Sequence, residues 1–482
     1  MTASPRLGAR AWLVAALLFA IAFWLRIGTL DVSLYGDETW YFHLARTLGL
    51  GNDHVVNPFP RAAHVLARPF LYVFYWPWAQ LGFTTFRAVN IVISAATVSV
   101  TALVCQSLRL GRLASFVACL LVATHQMSLC YATRVFPDTP ATFFALLAVW
   151  AFVAERPRAT FLLCVAATLT KEAFALIPLA LLALSIELGG PWQLRLRRPM
   201  AYWVAASLLP LALLTLVSIF LLGGRLQGWS NLPPDGRFLG IMGFGWDFAA
   251  LYLALAVLGY WRVLVLALAN PLFYLAWWHI LGRGVNEWYV VGAIPMTAMA
   301  VAAALDGFGR AARLARTSLV GRVRAIVAGA LLGTFAAQPL LAVPDTPWAH
   351  LLVSLQLEWY RHPKETDWSA LPPIVARLHE APPSELLLVD CFWAHSFYPF
   401  GLVAEHVEIV RAVPAGTTEP QHRDHDIIPE LTPDRLEARA ARADAVVILE
   451  YPANRPLRDR LARCRVASSG VYHLYREPAR CL

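Results

Sequence analysis

Charge is what this chain has least of. Only 15% of its 482 residues are Asp, Glu, Lys or Arg, against about 25% in an ordinary soluble domain. With 58% hydrophobic residues and a mean hydropathy of +0.55, a purely water-soluble enzyme is excluded. Cysteine is also sparse: seven residues, at no spacing that suits a metal. Cys105, Cys119 and Cys164 sit inside apolar runs as packing residues. Cys391, Cys464 and Cys481 share the tail, where one disulfide can form. A cleavable leader is missing, because the first apolar run, Ala11 to Leu30, is too long and lacks a small-residue cleavage site. It is expected to stay as a first helix. Repeats and low-complexity stretches are absent as well.

Apolar runs of membrane length recur as far as residue 342, which makes a polytopic membrane protein. Spans are read near 11–30, 86–107, 112–131, 139–154, 159–170, 173–188, 201–222, 247–261, 263–281, 288–306 and 325–342. The net charge of +9 is mostly arginine in the short loops between them. Arg6 and Arg10, Arg109 and Arg112, Arg156 and Arg158, Arg195 to Arg198, Arg262, and the cluster from Arg310 to Arg324 alternate with acidic loops. This is the positive-inside signature with a cytoplasmic N-terminus, and no nucleic acid is implied. Parity makes Ala159 to Glu187 a helical hairpin whose outer tip is Thr170-Lys171-Glu172. The aromatic, proline-bearing segment 68–85 reads as an interfacial helix at the outer surface.

From Val343 the apolar runs shrink to strand length. Glu385–Asp390, His406–Val410 and Ala445–Glu450 read as buried strands, and Thr432-Pro433-Asp434 opens a helix running to Ala443. The expected fold is therefore an all-α membrane domain of about eleven helices over 1–342, with a large first outer loop at 31–85. A small α/β domain on the outer side follows over 343–482. Gly-rich phosphate loops and catalytic-triad spacings do not occur in that domain, and its His395, His422 and His425 are scattered.

The outer face gathers the chemistry. Asp37 and Glu38 emerge from the first span among aromatic residues, as Tyr35-Gly36-Asp37-Glu38 followed by Trp40-Tyr41. Such a pair can take a proton from a hydroxyl or hold Mg²⁺ or Mn²⁺. Asp138, in Pro137-Asp138-Thr139-Pro140, opens a later span and serves either as an N-cap or in the same cavity. Lys171 is an interfacial anchor or a phosphate ligand. Arg61 and Arg68 in the first loop suit phosphate too. Tyr41, Glu172, Glu287 and Tyr289 are candidates for lining a substrate site. His43, His54 and His64 match no compact metal motif.

These motifs, in this order and on one side, resemble the GT-C superfamily of integral-membrane glycosyltransferases. The resemblance is greatest to the group holding protein O-mannosyltransferases and the aminoarabinose transferase of lipid A. It covers roughly residues 11–310 and rests on Asp37-Glu38, Asp138 and Leu169-Thr170-Lys171. Arg68-Pro69-Phe70-Leu71-Tyr72 takes the place of the group's Pro-rich element, without its second proline or the Lys or His before it. The resemblance implies a GT-C-like fold in a bacterial inner membrane, with the tail periplasmic. It implies transfer of one sugar from a polyprenyl-phosphate donor to a hydroxyl on a lipid, glycan or protein acceptor, with inversion. Catalytic roles then fall to Asp37, Glu38 and Asp138, and donor phosphate to Lys171, Arg61 and Arg68. No cofactor is required beyond a divalent cation at Asp37 and Glu38, if one binds. The rival reading is a transporter or lipid flippase, for which charges at mid-depth and inverted repeats would speak.

The arginine alternation predicts an odd number of crossings. A reporter active only in the cytoplasm, fused after Leu482, is expected to be silent, and strong activity there would overturn the topology.

Overall fold

The computed structural model describes residues 8–28, 30, 38–48, 65–66, 68–189, 193–196, 198–222, 246–269, 272, 291–341, 371–390, 403–413 and 430–482. The chain divides into two compact units. One gathers Met1–Leu30, Leu66–Phe74 and Leu81–Gln356; the other gathers Asp31–Val65, Tyr75–Gln80 and Leu357–Leu482.

The first unit is helical. Its helices are α1 (Ala9–Ile27), the start of α3 (Pro69–Gln80), α4 (Phe83–Ser107), α5 (Arg112–Thr124), α6 (Gln126–Thr133), α7 (Asp138–Val153) and α8 (Pro157–Thr170). They continue with α9 (Leu176–Leu184), α10 (Arg198–Ala206), α11 (Leu209–Leu222), α12 (Trp246–Leu258), α13 (Ile294–Leu314) and α14 (Leu319–Leu341). A short hairpin of β1 (Ile186–Gly189) and β2 (Gln193–Leu196) interrupts them. The second unit contributes α2 (Glu38–Thr47).

Apolar faces point outward here. On α1 only Ala15, Ala22 and Arg26 are buried, while Trp12, Leu13, Leu17 and Trp24 are at least half exposed. That inversion suits a helix whose solvent is lipid. The interior is lined by small side chains such as Ala95, Ala102, Ala118, Cys119, Ala145 and Ala167, which let backbones approach closely. The central α4 spans about 37 Å at 1.5 Å per residue, enough for a bilayer core. One face of it carries Arg87, Asn90, Ser94, Thr97 and Thr101, all buried. Their spacing of three or four residues makes a polar stripe inside an apolar helix.

Among the described residues, four helices are long and apolar enough to cross a membrane: Ala9–Ile27, Phe83–Ser107, Pro199–Val217 and Leu319–Ala336. A fifth arises if the bent pair Arg112–Thr124 and Met127–Thr133 is one span. Four shorter apolar helices lie at Asp138–Val153, Pro157–Thr170, Glu172–Leu184 and Phe248–Leu258. Among the described residues the expected eleven crossings are therefore not confirmed; the expected spans at 263–281 and 288–306 lie partly outside them.

The tail of the second unit folds as an α/β sandwich. Its strands are β3 (Glu385–Val389), β4 (His406–Ala412), β5 (Glu430–Leu431), β6 (Ala445–Leu449), β7 (Arg465–Ser469) and β8 (Tyr472–Arg476). The sheet order is β5-β4-β3-β6-β8-β7, parallel from β5 to β6 and antiparallel beyond. The three strands read from sequence fall within a residue or two of their expected places. Parallel strands are covered on both faces, hence their unbroken apolar character. Leu386 and Leu388 pack toward α15 (Leu371–Glu380). Leu387 and Val389 pack toward α16 (Pro433–Ala440) and α17 (Arg455–Arg460) through Leu436 and Leu457.

A disulfide joins Cys464, just before β7, to Cys481 near the C-terminus, with Cα atoms 6.2 Å apart. It closes a loop of 17 residues. Constraining the unfolded chain over such a loop contributes about 3 kcal/mol. Cys464→Ser with Cys481→Ser is therefore expected to lower the tail's unfolding midpoint in the full-length protein. An unchanged midpoint would show that the edge hairpin holds without the crosslink.

Candidate active site

Two helices of nearly equal length bring two distant charges to one level. α7 runs 16 residues away from Asp138, and after the turn at 154–156 α8 runs 14 residues back to Thr170. Asp138 and Lys171 thus meet at the same end of a helical hairpin. Lys171 breaks the chain there in an extended conformation, with φ −155° and ψ 125°. Its N–H still closes the last turn of α8 on Ala167 O, and its carbonyl accepts from Phe174 N to begin a 3₁₀ turn, Glu172–Ala175. The break that the sequence places at Thr170-Lys171-Glu172 is present. Its lysine, however, turns inward.

Lys171 Nζ donates to Asp138 Oδ1 at 2.5 Å, with side chains only 3% and 0% exposed. Asp138 is not an N-cap: it stands in the first turn of α7 behind Pro137, and no side chain caps that helix. Its second oxygen, Oδ2, is buried and has no hydrogen-bond partner among the described residues. Buried acceptors are nearly always satisfied. An oxygen left open beside a charge pair is therefore a natural place for a donor group to arrive.

Beside this pair stands a second one. Arg68 clasps Glu172 in a two-pronged contact, Nε to Oε2 at 3.3 Å and Nη2 to Oε1 at 3.2 Å. These side chains are 18% and 34% exposed, so this pair is the more accessible of the two. The aromatic rings of Phe70 and Phe74 meet Phe144 edge to face at 5.2 and 5.6 Å, which docks the start of α3 on α7. That contact places Arg68 at the hairpin tip. Four charges, Arg68, Asp138, Lys171 and Glu172, thus form one cluster at one end of the helical unit.

Glu38 and Tyr41 belong to the other unit. Both are buried on α2, Glu38 in its first turn and Tyr41 one turn later. Asp37, Arg61, Glu287 and Tyr289 lie outside the described residues, so the Asp37–Glu38 pair named for catalysis or a cation is described only in part. Among the described residues, no three His, Cys, Asp or Glu side chains gather as a metal site.

Two polar groups escaped the sequence reading. Arg26, fully buried near the end of α1, donates to Ser94 Oγ, Ser128 Oγ and the carbonyls of Ala22 and Val122. Asn90, equally buried on α4, faces the chain that leads to Asp138. The spacing of Asn90 with Arg87, Ser94, Thr97 and Thr101 was the available signal. In the tail, Ser468 Oγ lies 2.8 Å from His473 Nδ1 across β7 and β8. Glu450 Oε2 stands 3.6 Å from the other ring nitrogen, beyond hydrogen-bond length, and Glu450 is held by Arg458 at 2.6 Å. This is a cross-strand polar pair backed by an ion pair.

No protein-family model matches the chain, and no curated protein matches its sequence. A solved structure does: ArnT from Cupriavidus metallidurans bound to undecaprenyl phosphate, with a TM-score of 0.53 over 98% of each chain. Identity is 17%, so the likeness is one of fold. The shared fold takes in both the helical unit and the α/β domain, over nearly the whole chain.

The buried pair makes a prediction about stability. Removing one partner of a buried ion pair strands the other charge and typically costs 3–5 kcal/mol. Lys171→Met alone is expected to lower thermal stability in detergent, and adding Asp138→Asn is expected to recover much of the loss. If the double variant is as unstable as the sum of the singles, the two charges are not coupled.

Proposed function

We propose that this protein is a membrane glycosyltransferase of GT-C type. It moves a single sugar from a polyprenyl-phosphate donor to an acceptor hydroxyl at the outer face of a bacterial inner membrane. The observation that carries the reading is the cluster of Arg68, Glu172, Lys171 and Asp138 at one end of the helical unit. It is supported by the fold shared with ArnT, whose structure holds undecaprenyl phosphate. The tail disulfide supports an oxidising compartment for that domain, since such bonds persist outside the cytosol.

In the proposed reaction, the acceptor oxygen attacks the anomeric carbon from the face opposite the phosphate. The bond from that carbon to the phosphate oxygen breaks, the polyprenyl phosphate leaves with the electron pair, and configuration inverts. The acceptor proton passes to a carboxylate, for which Asp37 is the proposed base and Glu38 its partner in positioning or cation binding. Arg68 is the accessible guanidinium for the departing phosphate and suits it bidentately, with Arg61 as a second candidate. Lys171 lies deeper and adds positive charge while holding Asp138. Asp138 then accepts a hydrogen bond from the acceptor through Oδ2. Glu172 orients Arg68, and Tyr41, Glu287 and Tyr289 remain proposed contacts to the sugar or acceptor.

The test is transfer in liposomes. Purified protein, given a panel of undecaprenyl-phosphate sugars and extracted envelope lipids, is expected to release undecaprenyl phosphate and form a glycosylated product seen by mass spectrometry. Asp37→Asn is expected to lower turnover by about 10²–10⁴-fold, the usual loss when a general base is removed, with donor binding kept. Arg68→Ala is expected to raise the donor KM more than it lowers kcat. Movement of a labelled lipid across the bilayer without sugar transfer would replace this reading with a flippase.

A further inference from the structure

Asp138 is delivered by a stretch that never reaches solvent. From the end of α6 into the link to α7, Thr133, Arg134, Val135 and Phe136 are all buried. The last carbonyls of a helix have no partners within it, and Pro137 has no N–H to return to them. In a bilayer there is no water to serve them either, so another part of the protein must.

Asn90 meets this demand from α4. Its Nδ2 lies 3.0 Å from Tyr131 O, 2.8 Å from Ala132 O and 3.2 Å from Arg134 O. With two hydrogens for three acceptors, the amide orientation is settled, since the reverse would aim Oδ1 at three oxygens. Thr139 Oγ1 adds a bond to Tyr131 O at 2.9 Å, from the residue next to Asp138. One turn along α4, Ser94 accepts from Arg26 Nε at 3.0 Å, and Arg26 reaches Ser128 Oγ at 3.1 Å. α6 is therefore gripped at both ends, at Ser128 through Arg26 and at its last turn by Asn90. The exit direction of the chain toward Asp138 follows from that grip.

We propose that Asn90 is a positioning residue for Asp138. It fixes the level and direction at which the carboxylate meets Lys171, and so where Oδ2 is offered. Its kinetic consequence rests on the glycosyl-transfer reading above; its geometric consequence does not. An Asp138 displaced from Lys171 is a buried carboxyl without a cation, and such a group takes up a proton rather than stay charged. Protonated carboxyls in apolar surroundings react with dicyclohexylcarbodiimide, and paired ones are protected.

The experiment compares wild type, Asn90→Ala, Asn90→Ser and Thr97→Val, each full length in liposomes. Thr97→Val is the control, because Thr97 is buried on the same helix and its hydroxyl donates to Ile93 O within that helix. Carbodiimide labelling at Asp138 is read by mass spectrometry, and kcat and donor KM by the transfer assay. Asn90→Ala is expected to label several-fold faster than wild type. Its kcat is expected to fall by about 10–100-fold with donor KM within about three-fold, as for a misplaced catalytic group. Asn90→Ser keeps one donor and is expected to fall between, and it carries the test should the alanine variant fail to fold. Thr97→Val is expected to match wild type. Wild-type labelling and kcat in a folded Asn90 variant overturn the proposal, as does an equal loss in Thr97→Val. Should wild type transfer no sugar, the glycosyl-transfer reading fails, and the labelling comparison still decides the role of Asn90.

Discussion

A lysine and an aspartate facing each other at 2.5 Å, both out of solvent, set the terms for the rest of this molecule. Neither charge is tolerable alone in such surroundings, and the pair gains from its closeness only if the geometry is held. Everything nearby serves that holding. The matched lengths of α7 and α8 bring the two residues to one level, and the extended backbone at Lys171 turns its side chain inward. A second pair, Arg68 with Glu172, stands beside it and is more open to solvent. The cluster therefore has an inner pair fixed by burial and an outer pair held less firmly by its surroundings.

The same logic explains the polar stripe on α4. In a soluble protein, Asn90 and Arg26 would be odd occupants of a core. Here the alternative partner for a freed carbonyl is hydrocarbon, so buried donors do what water does elsewhere. Small residues line the bundle for the related reason that close backbone approach replaces the hydrophobic drive between helices. Polar pins and small-residue packing together hold a precise arrangement of charges inside an apolar shell.

Asp138 and Lys171 were legible in the sequence because charge is scarce and both stand where an apolar run stops. Their partnership was not, since it depends on two helices of matched length returning the chain to its starting level. Lys171 consequently read as an exposed tip. Arg68 and Glu172 are 104 residues apart in sequence and joined only by the docking of Phe70 and Phe74 on Phe144. Asn90 and Arg26 passed as ordinary members of apolar spans, although the stripe from Arg87 to Thr101 repeats every three or four residues. In the tail, β3, β4 and β6 announced themselves as unbroken apolar runs buried on both faces. β7 did not, because an edge strand reading Arg465-Val466-Ala467-Ser468-Ser469 is half exposed and carries a register shift. The count of eleven crossings is not confirmed: among the described residues four helices reach full span length, and others are shorter or bent.

The central claim is that the four-charge cluster receives the phosphate of a polyprenyl lipid. The most direct measurement is a cryo-electron microscopy structure of the protein in nanodiscs with undecaprenyl phosphate added. The account predicts phosphate density within hydrogen-bond reach of the Arg68 guanidinium, with the Arg68–Glu172 contact opened or shared. Density for the lipid phosphate at another place, with both ion pairs left intact, would contradict it.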